Sequence, residues 1–188
     1  MKKLLVVVDL VNGFINEGAL HDNQIKTIIP ECKRLIGEFL NAGHEVVAFR
    51  DCHNSDDEEF LDYPTHCLRG SNEAEFVDEI KEYEDQMIVI DKQTTNGFTA
   101  EDFQKDIKKY SQMDEIVVVG CCTDICVLQF VMEMVIMHCH FDLKYQLVVP
   151  KDACSTYQLE DHNRDDFNAK AYDLMLKNNV KVVDHYEL

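Results

Sequence analysis

Positive charge is scarce in this sequence. Its 18 lysines and arginines stand against 36 aspartates and glutamates, a formal net charge of −18 at pH 7. That balance excludes non-specific binding to nucleic acid or to anionic membrane. Long apolar runs are missing too: none approaches the roughly 20 residues a membrane-spanning helix needs. The first residues, "MKKLLVVVDLVNGF", carry two lysines and an apolar run as a signal peptide does. The run is short, is broken by Asp9, and lacks a small-residue cleavage site. It reads as a first buried strand, and a cytoplasmic location is expected. Repeats and low-complexity linkers are absent, so residues 1–188 are expected to form a single domain with a sizeable core. Cysteine is not scarce; there are eight. A chain of this size with a full core does not need disulfides, and reduced thiols are expected.

What is present alternates. Apolar, β-branched runs occur at Leu4–Val8, Glu45–Phe49, Met87–Ile90, Glu115–Val119, Leu143–Val149 and Val180–Val183. Continuous runs of this length suit strands buried on both faces. Helical periodicity fills the gaps. Ile25, Ile28, Ile29, Cys32, Leu35, Ile36 and Phe39 make one apolar face, closed by Gly43. Phe76, Ile80 and Tyr83 make a weaker one, and Phe103, Ile107 and Tyr110 a third. Asn163 to Leu176 holds the last helix. The segment from Thr123 to His138 is apolar almost all round, which predicts a buried helix. Alternating strands and helices predict a three-layer α/β/α fold with a central, mainly parallel sheet of about six strands. The acidic stretch Asp51–Asn72 is the longest loop, and long loops in compact domains are often functional.

In such a sheet the working groups lie beyond the carboxyl ends of the strands. Asp9 ends the first strand. Asp51 and His53 follow the second, Asp91 and Lys92 the third, and "CCTDIC" the fourth. An acid, a candidate metal site, a lysine and a cysteine cluster therefore converge on one rim. Singly each has a bland reading: a carboxylate capping a loop, a solvated lysine, buried thiols. Cys121 and Cys122, at the strand end, read as packing residues. Cys126 falls in the first turn of a helix, where free N–H groups and the helix dipole favour a thiolate. Backbone donors at that turn would also hold an oxyanion. Asp9 is placed to act as base, with the lysine stabilising the pair.

The stretches "VVVDLVNGF", "KQTTNGF" and "GCCTDICV" resemble those of the isochorismatase-like cysteine hydrolases, and the resemblance extends to "VVPKDACST" at Val148–Thr156. It implies a catalytic triad of Asp9, Lys92 and Cys126, a parallel sheet with flanking helices, and a cis peptide at Cys121–Cys122. It also implies an oxyanion hole made by the backbone N–H groups of Cys122 and Cys126, with Cys121 and Cys122 shaping the nucleophile's loop.

Within the family, "RDCHNSDDEEFLDYPTHCLRG" resembles the metal-binding loop of the nicotinamidase/pyrazinamidase branch. Asp51, His53 and His66 match directly. Many members of that branch add a histidine in mid-loop, which this chain lacks. Glu59, seven residues before His66, stands where others have a glutamate, with Asp57 and Glu58 as rivals. The donor set suits one divalent ion, zinc first, manganese or iron next. His138 and His140 in "MHCH" lie at the far end of the helix and are read as structural or exposed. The resemblance implies hydrolysis of nicotinamide to nicotinate and ammonia through a thioester on Cys126, in NAD salvage. Phe14 and Tyr63 would pack against the ring, and a homo-oligomer is expected. The rivals are a metal-independent amidase of the same fold acting on another small amide or ureido substrate, and a non-catalytic metal- or ligand-binding module. Isochorismate hydrolases lack this nucleophile and metal set. A phosphatase reading of "VVVDLVNG" fails on the missing second aspartate.

Overall fold

A computed structural model describes residues 1–141 and 143–188. The strands are β1 (Lys3–Val8), β2 (Glu45–Asp51), β3 (Ile88–Lys92), β4 (Glu115–Gly120), β5 (Gln146–Pro150) and β6 (Lys181–Val183). They form one six-stranded sheet in the order β3-β2-β1-β4-β5-β6, and every neighbouring pair is parallel. The expected three-layer fold is therefore present, with the sheet parallel throughout.

Strand β1 shows why its sequence is apolar at successive positions. Leu5 and Val7 enter one core, with Leu35 of helix α2 (Ile29–Asn41) and Ile80 of α3 (Asp78–Lys81). Ile15 of the short α1 (Asn12–Ile15) joins them. Leu4, Val6 and Val8 point the other way. They pack with Phe103 of α4 (Glu101–Tyr110), Phe130 of α5 (Leu128–His140) and Met175 of α6 (Arg164–Lys177). Side chains alternate across a strand, so a strand covered on both sides needs both sets apolar. Among the described residues no helix is long and apolar enough to cross a membrane. All eight cysteines are free.

Several boundaries differ from the sequence expectation, each for a local reason. The long apolar face from Ile25 to Phe39 is split: residues Asn23–Ile28 form a 3₁₀ turn and the α-helix starts at Ile29, with Pro30 in its first turn. Proline fits that position because its missing N–H would be unpaired there anyway. The helix predicted around Phe76–Tyr83 shrinks to Asp78–Lys81, because Phe76 bridges to Val11 and Val77 donates to Leu10. The fifth strand begins at Gln146, not Leu143, since the Leu143 N–H is already taken by the carbonyl of His138. Helix α5 is not buried all round: Phe130, Val131 and Met134 are buried, whereas Ile136 is 56% exposed. Its final histidines stay outside the core. His138 packs edge-on against Tyr145, and His140 is exposed.

Candidate active site

Chain direction makes the site. From β1 the chain proceeds to β2 on one side, and from β4 to β5 on the other, so the loops after β1 and β4 part and leave a crevice. Asp9 leaves β1 with φ of 51°, a left-handed conformation costing a non-glycine residue about 1–3 kcal/mol. It is held there from both sides: its N–H donates to Phe49 O at 3.2 Å, and the Cys121 thiol donates to its carbonyl at 3.2 Å. Gly120, with φ of 119°, ends β4 so close to β1 that a Cβ would lie 2.1 Å from Val8 O. The Cys121–Cys122 peptide that follows is cis. A π-helical turn, Thr123–Val127, then carries Cys126 to the crevice.

Lys92 ends β3 beside Asp51 at the end of β2; the two are register partners. Its ammonium, 1% exposed, lies 2.7 Å from Asp51 Oδ1, 2.9 Å from Asp9 Oδ2 and 3.0 Å from Thr94 O. Burial alone would favour the neutral amine, but Asp51 and Asp9 outweigh it and hold the lysine charged, well above its ordinary pKa. Asp51 is the mirror case. Burial works against its charge, yet Lys92, His53 and His66 keep it ionised, well below the usual carboxylate range. Asp9 has only a share of one lysine. Burial, with Asp51's charge, overrides Lys92 and pushes its pKa up to about 7. Lys92 stands 2.9 Å away and the Cys126 thiol is nearby, yet neither carboxylate oxygen has a well-formed hydrogen bond. A buried carboxylate with unused lone pairs beside a thiol is the arrangement of a general base.

The thiol differs from the sequence expectation. A helix start predicts a thiolate, but Cys126 is buried, and burial raises its pKa well above normal despite Lys92. Burial thus favours the protonated thiol over the thiolate at this turn.

The acidic loop delivers three more groups. Asp51, His53 and His66 are buried, with candidate ligand atoms all within 4.8 Å of one another. Nε2 of His53 is 3.1 Å from Asp51 Oδ2, and Nε2 of His66 is 3.0 Å from the same atom. The opposite ring nitrogens are engaged elsewhere: Nδ1 of His53 with Asp57 at 3.0 Å, Nδ1 of His66 with the Pro64 carbonyl at 2.7 Å. Both imidazoles lose charge preference to burial and regain more from Asp51, so their pKa values rise. Two imidazole nitrogens aimed at one carboxylate oxygen, with their far nitrogens tethered, fit a divalent cation. Glu59 lines the cavity beside this cluster but is not among the three grouped residues. Of its rivals, Glu58 is exposed and Asp57 stands behind His53.

Asp51, Glu59, His66, Lys92 and Cys126 line a cavity of about 610 Å³, bounded also by Phe14 and Tyr63. Phe14 lies 5.7 Å from the His66 ring and Tyr63 6.4 Å. Sequence reasoning missed Phe60, whose ring lies 5.0 Å from His53 and 5.5 Å from His66. It also missed the wall formed by Tyr157 to Leu159. Tyr157 stacks on His162 at 3.9 Å, and Nε2 of His162 sits 2.8 Å from Asp124 Oδ2, next to the nucleophile's turn. Nothing in the spacing of "CSTYQLEDHN" signals a partner 38 residues upstream.

Known proteins resemble this chain in sequence and in fold. Nicotinamidase 1 of Arabidopsis thaliana is 36% identical over 174 residues, 84% of this chain and 71% of the relative. N-carbamoylsarcosine amidase from Thermoplasma acidophilum superposes with a TM-score of 0.81 at 25% identity, covering 100% of this chain and 99% of that one. Pyrazinamidase of Pyrococcus horikoshii, whose structure is a complex with zinc, has a TM-score of 0.79 at 22% identity over 99% of this chain and 100% of that one. At that identity the likeness is one of fold. The Isochorismatase domain matches residues 3–185, from β1 past the end of β6, so this chain belongs to the isochorismatase family.

Proposed function

We propose that the protein is a nicotinamidase: a cysteine amidohydrolase that converts nicotinamide to nicotinate and ammonia. The observation that carries this is one cavity walled by the Cys126 thiol, Lys92, Asp51 and His66, with the under-bonded Asp9 carboxylate 2.9 Å from Lys92 and His53 3.1 Å from Asp51. The thiol and carboxylate support hydrolysis of an amide. The cluster supports an aromatic substrate with a ring nitrogen, and the similarity to Nicotinamidase 1 supports the same substrate.

Asp9 takes the Cys126 proton as sulfur bonds to the carboxamide carbon. The carbonyl oxygen gains the negative charge and is held by the backbone N–H groups of Cys122 and Cys126; among the described residues nothing accepts from the former. The C–N bond breaks as Asp9 returns the proton to nitrogen, and ammonia leaves. Asp9 then takes a proton from water, whose oxygen attacks the thioester carbon; the C–S bond breaks and the sulfur regains a proton. Lys92 stays charged throughout, anchoring both carboxylates. Phe14 and Tyr63 flank the ring. Asp51, His53 and His66 would hold a divalent ion, zinc first, which would offer an open coordination position to the pyridine nitrogen and so fix the ring. Glu59 is left to act at its edge.

A second reading has one observation in its favour, the fold match to an N-carbamoylsarcosine amidase. An acyclic ureido substrate has no ring nitrogen, which would leave the histidine cluster without a task. Ammonia release from nicotinamide, benzamide and N-carbamoyl amino acids, before and after chelation, separates the two. Nicotinamide should be the preferred substrate, with kcat/KM falling by about two orders of magnitude or more on metal removal. Benzamide should be poor and much less sensitive. Preferred hydrolysis of the N-carbamoyl compound, unaffected by chelator, would replace the nicotinamidase reading with the ureido one.

A further inference from the structure

We infer that Asp57 is a positioning residue of the metal centre: it fixes the ring and tautomer of His53 without itself being a ligand. This rests on the metal reading of the Asp51–His53–His66 cluster. His53 is 0% exposed, and its backbone is pinned to the far arm of the loop, its N–H donating to Cys67 O at 2.9 Å and its carbonyl accepting from Arg69 N at 2.8 Å. The backbone bonds fix where the ring is but not which way it faces. Asp57 supplies that. Its Oδ2 accepts from His53 Nδ1 at 3.0 Å and from the Asn54 backbone N–H at 2.9 Å. The Asp57 N–H closes the turn onto Asn54 O at 3.3 Å.

Two consequences follow for a cation. A neutral imidazole free in water carries its proton mostly on Nε2, the nitrogen that here faces Asp51; a carboxylate at Nδ1 reverses that preference and leaves the Nε2 lone pair free. The carboxylate also adds a negative charge close to the ion, making the ring a stronger donor. His66 has the weaker form of the same device, a neutral carbonyl at Pro64. An oxygen held at Nδ1 is a full ring-width from an ion at Nε2, so Asp57 cannot coordinate while it tethers.

The test is zinc affinity, read by competition with a chromophoric chelator on the full chain. Asp57→Ala should weaken zinc binding about 10–100-fold. Asp57→Asn, which keeps the shape and an acceptor but not the charge, should lie between it and wild type. The Asn variant keeps the test alive if the Ala variant folds poorly. Cobalt(II) substituted into wild type and Asp57→Asn should give d–d spectra of the same intensity and position, since the ligands are unchanged. Zinc affinities of both variants within about twofold of wild type would overturn the inference, as would a cobalt spectrum reporting a lost ligand in Asp57→Asn. Failure of wild type to bind zinc at all would instead remove the metal reading, and this inference with it.

Discussion

Cys126 and Asp9 form a pair in which neither member is ready alone. Burial pushes the Cys126 thiol's pKa up and raises that of Asp9 to about 7, so an ionised Asp9 is more basic than an ordinary carboxylate. Replacing the proposed nucleophile, Cys126→Ala, should lower turnover by at least about three orders of magnitude, while Cys121→Ala, whose thiol only bonds the Asp9 carbonyl, should keep measurable activity. Comparable turnover in Cys126→Ala and wild type would remove the assignment. The pH dependence follows from the direction of the Asp9 shift. The base works ionised, so kcat/KM should fall as pH drops through about 7, roughly tenfold per unit below that. A cation at Asp51 favours the ionised carboxylate and should move this acid limb to lower pH. The measurement is the kcat/KM profile with zinc bound and after chelation. A flat profile between about pH 5 and 8 in both states would rule Asp9 out as the base.

At the scale of elements, the rim depends on how closely β4 approaches β1. Gly120→Ala meets both a φ of 119° and a Cβ 2.1 Å from Val8 O. It should cost about 3 kcal/mol or more in urea denaturation; a loss within about 0.5 kcal/mol would show that the strand end can move aside. The second support is the link from the loop after β5 to the nucleophile's turn. His162 lies between Tyr157 and Phe167, at 3.9 and 3.7 Å, and meets Asp124. His162→Ala should cost about 2–3 kcal/mol and raise KM more than it lowers kcat, because Tyr157 walls the cavity. An unchanged KM would separate that wall from substrate binding. These two supports mark the limit of what the sequence discloses. Strand identity, the parallel sheet and the convergence of Asp9, Asp51, Lys92 and Cys126 on one rim follow from apolar runs that end in polar residues. The Asp124–His162 pair is invisible because it joins segments with no shared periodicity. The acidic loop was legible for Asp51, His53 and His66, whose residue types are themselves metal donors. Glu59, picked out by its spacing from His66, does line the cavity, but the role of Asp57 was not legible, because four consecutive acids look alike until the backbone turn aims one behind His53.

On the whole molecule, charge bears on traffic to the site. A net charge of −18 surrounds a cavity whose own wall sets Asp22, Asp51 and Glu59 against Lys92. Such a field concentrates divalent cations and repels anions within about a Debye length, roughly 10 Å at 0.1 M salt. The proposed substrate, nicotinamide, is neutral and feels little of it, whereas the proposed product, nicotinate, is an anion. Binding of substrate should therefore be almost blind to ionic strength, and the product should be expelled most strongly in dilute buffer. For the zinc-loaded enzyme, kcat/KM for nicotinamide should change by less than about twofold between 20 mM and 500 mM salt. The inhibition constant of nicotinate should fall over the same range as screening lets the anion bind. Initial rates with and without added nicotinate across a salt series measure both. If nicotinate inhibition instead weakens with salt, the local field at the cavity is positive, and Lys92 with the metal outweighs the acidic shell around them.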